Sequence, residues 1–185
     1  EPLSPSREVL AGRAEGLYHL LETPDPVIVT TPDGWGQRCL ARDAFRAAVR
    51  YLVVGERINR DELAAALVDW GYHRVPLAQD PGEVAVRGGS LDVFPAGYAR
   101  PVRLELMGDE IEAMRTFDPS TQRSEGPLEE VLLLPVREFS RASLSAANAR
   151  RVEERAAELG VAPTERRRLV EAIRAGLVVP GLVHL

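Results

Sequence analysis

GEVAVRGGSLDVFPAGYARPVRLELMGDEIEAMRTFDPSTQR, residues 82–123, decides the fold, because it writes two tight hairpins in succession and sets arginines and methionines on one face. In the first, Val84–Arg87 and Ser90–Val93 flank Gly88-Gly89, a pair that accepts the positive φ angles of a two-residue turn. That turn pairs Arg87 with Ser90, Val86 with Leu91, Ala85 with Asp92 and Val84 with Val93, so apolar pairs share one face and polar pairs the other. In the second, Val102–Met107 turns at Gly108-Asp109 into Glu110–Phe117. This predicts Leu106 opposite Ile111 and Leu104 opposite Ala113 inside, with Met107 opposite Glu110, Glu105 opposite Glu112 and Arg103 opposite Met114 outside. Glu105 against Glu112 is a like-charge pair, which a neighbouring Arg103 or Arg87 would relieve.

Outward from the hairpins, Asn59 caps a helix from Arg60 to Trp70, with Glu62 supplying a start like a capping box and Gly71 at its end. Tyr51–Val54 reads as a strand, Tyr72–Val75 as the beginning of the hairpin sheet, and Val131–Pro135 as a last buried strand. One helix with a run of hairpins is an α+β arrangement: an antiparallel, hairpin-rich sheet with one packed helix. Before it, Ser4 or Ser6 caps a helix to about Leu21, and Val27–Thr31 is a β-branched run without alternation, as in a strand buried on both faces of a parallel sheet. A further helix is expected from Arg42 to Arg50. A single strand closes no sheet, so this part reads as a partial α/β piece of something larger. After the hairpins, Ser143 and Thr164 cap helices over Leu144–Leu159 and Glu165–Ala175, stopped by Gly160 and Gly176. The apolar ending Leu177–Leu185 reads as a boundary inside a longer protein.

Composition narrows the chemistry. All 23 basic residues are arginine, so there is no lysine for a P-loop, a Schiff base or a lysine-dependent nuclease site. A formal charge of -5 argues against broad nucleic-acid binding, although a local arginine patch remains open. One cysteine, Cys39, excludes an internal disulfide, and His19, His73 and His184 lack metal-ligand spacing. The opening Glu-Pro-Leu-Ser-Pro-Ser has no leader pattern, and no apolar run approaches the ~18 residues of a membrane span, so a cytoplasmic protein is expected.

No catalytic constellation emerges. Arg166-Arg167-Arg168 lies beside Glu165 and Glu171 on a predicted helix, where charges pair along a solvated face. Asp92 and Glu105 alternate with apolar residues and read as paired surface charges rather than acid-base groups. Arg87 and Arg103 differ, because both project from short strands onto one face. They either pair with Glu105 and Glu112 or, beside Met107 and Met114, form the centre of a protein-binding patch with Glu105, Glu110 and Met114 at its rim. No cofactor or metal is expected.

At these residues the sequence resembles a known family. GYHRV, PGEVAVRGGSLDVFP, PVRLELMGDEIEAMRTFDPSTQRS and VLLLPVREF are similar to the UvrB-homology region of bacterial transcription-repair coupling factors, the Mfd family; UvrB itself is similar more distantly. The resemblance implies three parts. Residues 1–50 would be the end of a degenerate RecA-like region, residues 51–136 the α+β domain that recruits UvrA, and residues 137–185 a helical return. It implies that Arg87, in the RGG turn, and Arg103, in the PVR strand, contact UvrA, with Met107 where the family places an aromatic. It also implies repair of transcribed DNA by nucleotide excision, and possible docking of the same face onto other domains of the full-length protein. There, ATP and magnesium would drive a translocase, and RNA polymerase and DNA would be bound by other domains. Two alternatives stay open: an arginine-mediated nucleic-acid-binding module, and the equivalent domain of a UvrB-type excinuclease subunit.

Overall fold

A computed structural model describes residues 7–36, 39–137 and 146–175. In chain order the elements are α1 (Arg7–Glu22), α2 (Pro32–Gly36), α3 (Arg42–Ala48), β1 (Arg50–Val53), α4 (Arg60–Asp69), β2 (His73–Arg74), β3 (Glu83–Arg87), β4 (Ser90–Phe94), β5 (Val102–Met107), β6 (Glu110–Phe117), β7 (Ser124–Leu128), β8 (Glu130–Leu133), α5 (Ala146–Glu158) and α6 (Pro163–Arg174). The described residues divide into two compact units. One contains 7–28 and 41–137; the other contains 29–36, 39–40 and 146–175.

The larger unit is α+β. Its six-stranded sheet runs β2-β3-β4-β5-β6-β7, antiparallel except where β2 lies parallel to β3, and β1 pairs with β8 in a separate two-stranded ribbon. The first hairpin has the expected register, Arg87 with Ser90 through Val84 with Val93, because a two-residue turn at Gly88-Gly89 leaves no other. Val84, Leu91, Val93, Val102, Leu104, Ile111 and Met114 form the buried core with Leu63, Ala64 and Leu67 of α4. The Asn59 side chain caps α4, accepting from the backbone N–H groups of Asp61 and Glu62 at 3.0 and 3.1 Å.

The second hairpin departs from its expected register. Leu106 pairs with Ile111 and Met107 with Glu110 as expected, but a bulge then shifts the ladder, so that Glu105 faces Ala113, Leu104 faces Met114 and Arg103 faces Arg115. Glu112 is the extra residue. A bulge of this kind reverses which face every later side chain takes. Met114 therefore turns into the core, with 1% of its surface exposed, and is not a rim residue.

Four other expectations change. Val27–Thr31 is not a strand: Val27 and Val29 are 93% and 94% exposed, and β-branching alone makes no strand without a partner to pair with. α6 starts at Pro163 with Ala162 at the cap position and no side-chain cap bond, so Thr164 sits inside the helix. Arg50 belongs to β1 rather than to the helix before it. β7, written SEGPL, carries no strand signature in sequence; it forms at a sheet edge, where Pro127 needs no ladder partner for a missing N–H. The proposed caps Ser4, Ser6 and Ser143, Gly176 and the apolar segment Leu177–Leu185 lie outside the described residues. In the smaller unit α5 and α6 pack through Ala149, Val152, Val170 and Ile173.

Candidate docking face

The sheet face away from α4 carries the residues singled out by sequence. One row crosses it as Ala85, Asp92, Arg103, Arg115 and Pro127, and the next as Arg87, Ser90, Glu105 and Ala113. Arg87, Arg103 and, by strand alternation, Met107 thus share this face, as expected. Their surroundings differ sharply along it.

At one end the face is closed. Val75, Ala78, Ala85 and Phe117 pack together over it, and the turn that follows β6 folds back on itself. Asp118 accepts the backbone N–H groups of Ser120 and Thr121 at 2.9 and 2.7 Å, and Gln122 donates to the carbonyls of Pro119 and Ala78. The hydrogen bond from the Thr121 N–H, then those from its hydroxyl and from Ser120, and the charge of Arg100 hold Asp118 below the usual carboxylate range. Under this cover Asp92 is completely buried, which corrects its reading as a surface charge. Alternation assigns a residue to a face but does not say whether that face is covered.

Arg103 is the reason Asp92 can be there. Its Nε and Nη2 each donate to one carboxylate oxygen of Asp92 at 2.7 Å, a two-pronged pair that fits both planar groups. The guanidinium lies 4.8 Å from the centre of the Phe117 ring, and only 19% of the side chain is exposed. The hydrogen bonds to Asp92 raise its pKa beyond the usual arginine value despite the opposing effect of burial. Arg103 therefore pairs with Asp92, not with Glu105 or Glu112. Removing either partner strands a buried charge, at a cost of about 3–5 kcal/mol.

The other end is open. Arg87 is exposed and has no carboxylate partner among the described residues. Met107 is 68% exposed, and Glu110 is exposed opposite it. Glu105 is half-buried; its counter-ion is Arg115, at a loose 3.6 Å. The backbone beneath these side chains is braced. The Ser90 hydroxyl donates to the Arg87 carbonyl at 2.9 Å, and Arg60 of α4 donates to the Gly88 carbonyl. The Leu106 N–H donates to Gly89 at 2.9 Å, tying the first turn to the second hairpin. Ile58 N–H donates to Asp109 at 2.7 Å, and Ile111 N–H to Glu56 at 2.9 Å. Gly88 and Gly108 have φ of +53° and +63°, which a side chain resists. Rigid turns present their side chains without a large ordering cost on binding.

Among the described residues no group of three or more His, Cys, Asp or Glu side chains is arranged to hold a metal. No helix among them is long and apolar enough to cross a membrane. Charged arms on braced turns around an exposed methionine suit recognition of another macromolecule. The family description that matches is the UvrB interaction domain, over residues 51–139. The matched residues make up just under half of the chain. They contain the whole hairpin sheet, α4 and all of the β1–β8 ribbon but Arg50.

Relatives extend the likeness beyond that domain. The chain is 37% identical over 183 residues, 98% of its length, to a transcription-repair-coupling factor of Myxococcus xanthus, covering 15% of that protein. It is 32% identical over 75% of its length to that of Escherichia coli (strain K12), covering 12% of it, and 28% identical over 93% to that of Bacillus subtilis (strain 168), covering 13%. The resemblance read from the hairpins therefore holds across nearly the whole chain. The chain spans 12% to 15% of the length of these relatives.

Sequence reasoning passed over three residues of this face. Arg115 changed faces with the bulge, Phe117 was counted only as a strand end, and Asp92 was not matched with Arg103 because the turn at Pro95-Ala96-Gly97 lies inside a longer loop to Pro101 whose length leaves the β4–β5 register open. A small residue, Ala85, opposite a carboxylate was the available signal that Asp92 faces a packed surface.

Proposed function

We propose that this chain is the part of a transcription-repair coupling factor that recruits UvrA, bringing nucleotide excision repair to transcribed DNA by protein docking. The observation that carries the reading is the open end of the UvrB interaction domain: Arg87 exposed without a carboxylate partner among the described residues, beside exposed Met107, on braced turns. Met107 occupies a UvrA recess by its flexible thioether side chain, and Arg87 meets a carboxylate at the centre of the contact. Glu105 and Glu110 form its rim. Arg103 contributes chiefly by holding the strand that carries Glu105 and Met107, with the exposed edge of its guanidinium available to the partner. The segment acts without cofactor, in the cytoplasm. ATP hydrolysis, translocation on DNA and contact with RNA polymerase belong to other parts of the full-length protein, and one of those parts covers this face until UvrA is needed.

The test is calorimetric titration of UvrA into the chain and its Arg87→Glu variant. Arg87→Glu weakens binding by about 2 kcal/mol or more, with an unchanged thermal midpoint. Unaltered affinity removes this face from UvrA recruitment. Arg103→Glu is unsuited to the purpose, because it sets a second carboxylate against buried Asp92 and unfolds the site it is meant to probe.

A further inference from the structure

We propose that Arg115 is a docking residue of the same face, taking a carboxylate of UvrA; this rests on the UvrA reading above. The bulge at Glu105 and Leu106 is what puts it there. In an unbroken ladder Met114 would stand opposite Arg103 and Arg115 would face the helix side; the shift exchanges them, so the methionine enters the core and the arginine emerges. Arg115 is 47% exposed by side chain and lies directly across from Arg103. Like charges opposite one another on a sheet are unfavourable, and here Arg103 is neutralised by Asp92, which leaves Arg115 as the accessible cation of that row.

Its present partner is a poor one. Glu105 is 3.6 Å from the guanidinium, longer than a charge-assisted hydrogen bond, and both groups are solvated. Such a contact is readily exchanged for a better-aligned carboxylate. Arg87 and Glu105 share one row, with Ser90 between them, and Arg115 stands one row along on β6 beside Glu105, so an acidic partner surface meets an arginine on either side of Glu105. Since the chain as a whole carries a charge of -5, this local pattern selects orientation rather than attracting UvrA from a distance.

UvrA is titrated calorimetrically at two salt concentrations into the chain and its Arg87→Glu, Arg115→Glu, Arg115→Gln and Arg151→Glu variants, each checked for an unchanged melting temperature. Arg115→Glu weakens binding about tenfold or more and Arg115→Gln about threefold, with both losses shrinking as salt rises. Arg151→Glu, an exposed charge reversal on α5, changes affinity by less than about twofold. Binding by both Arg115 variants within about twofold of the parent chain, while Arg87→Glu fails to bind, overturns the role of Arg115 and leaves the docking face standing. Equal losses from Arg115→Glu and Arg151→Glu overturn it as well, since net charge alone would then act. If Arg87→Glu and Arg115→Glu both bind normally, the face itself is wrong.

Discussion

Arg103 and Arg87 stand on adjoining rows of one sheet face, yet one is locked to buried Asp92 under a packed turn and the other is exposed with no carboxylate partner among the described residues. The difference lies in what covers them. Val75, Ala78 and Phe117 shield the Asp92 end, raising the strength of the ion pair and the cost of breaking it, while the Gly88-Gly89 turn leaves Arg87 in water. One arginine stabilises the fold and the other is available to a partner. Both are strand arginines on the same sheet face, so neither residue type nor facing reveals the role.

The sharpest break in this comparison comes from Arg103→Gln or Asp92→Leu. Each leaves one buried group unpaired and lowers the unfolding free energy by about 3–5 kcal/mol in urea titrations, whereas Arg87→Gln changes it by less than about 0.5 kcal/mol. Equal effects would mean that Arg103 is as solvated as Arg87. The double variant Asp92→Leu with Arg103→Met recovers most of the loss, because an apolar pair of similar volume needs no counter-charge.

The methionines sharpen the same contrast through the bulge. Met114→Ala removes a buried side chain and costs about 2–5 kcal/mol, while Met107→Ala, at the open end, costs less than about 0.5 kcal/mol. Reversed values would restore the unbroken register. A smaller effect concerns the turn that closes the Arg103 end. The pKa of Asp118 is lowered in the folded chain, so its contribution is fully present above its unfolded pKa of about 4 and is lost as pH falls through the folded value. The gap in melting temperature between the parent chain and Asp118→Ala therefore narrows on acidification below about pH 4. A gap that widens there would contradict the assignment.

These contrasts also show what the sequence could carry. The first hairpin was legible down to each pair, since a Gly-Gly turn of two residues fixes its register. The helix at Asn59 was legible for a similar reason, a local cap with a local cause. The second hairpin was legible only to its turn, because a bulge among Glu105, Leu106 and Glu112 has no glycine or other compositional mark, and the faces expected for Ala113 and Met114 of β6 beyond it inverted. Asp92 was misread for a non-local reason, as its burial depends on chain around residues 75–78 and 118–122 arriving from elsewhere. Val27–Thr31 failed as a strand on the same principle: a strand is a relation between segments, and its residues carry only half of it. Of the candidate site, exposure was legible at Arg87 and Met107, while the pairing of Arg103 with Asp92, the burial of Met114 and the facing of Arg115 were not.

The chain has two methionines, one at the open end and one in the core, and they make the central claim directly measurable. With both methyl groups labelled with carbon-13 and UvrA titrated in, the Met107 resonance shifts or broadens through the titration, while Met114 follows only the slower tumbling of the complex. A Met107 signal that keeps its position and no more than matches the broadening of Met114 at saturating UvrA would contradict the docking face.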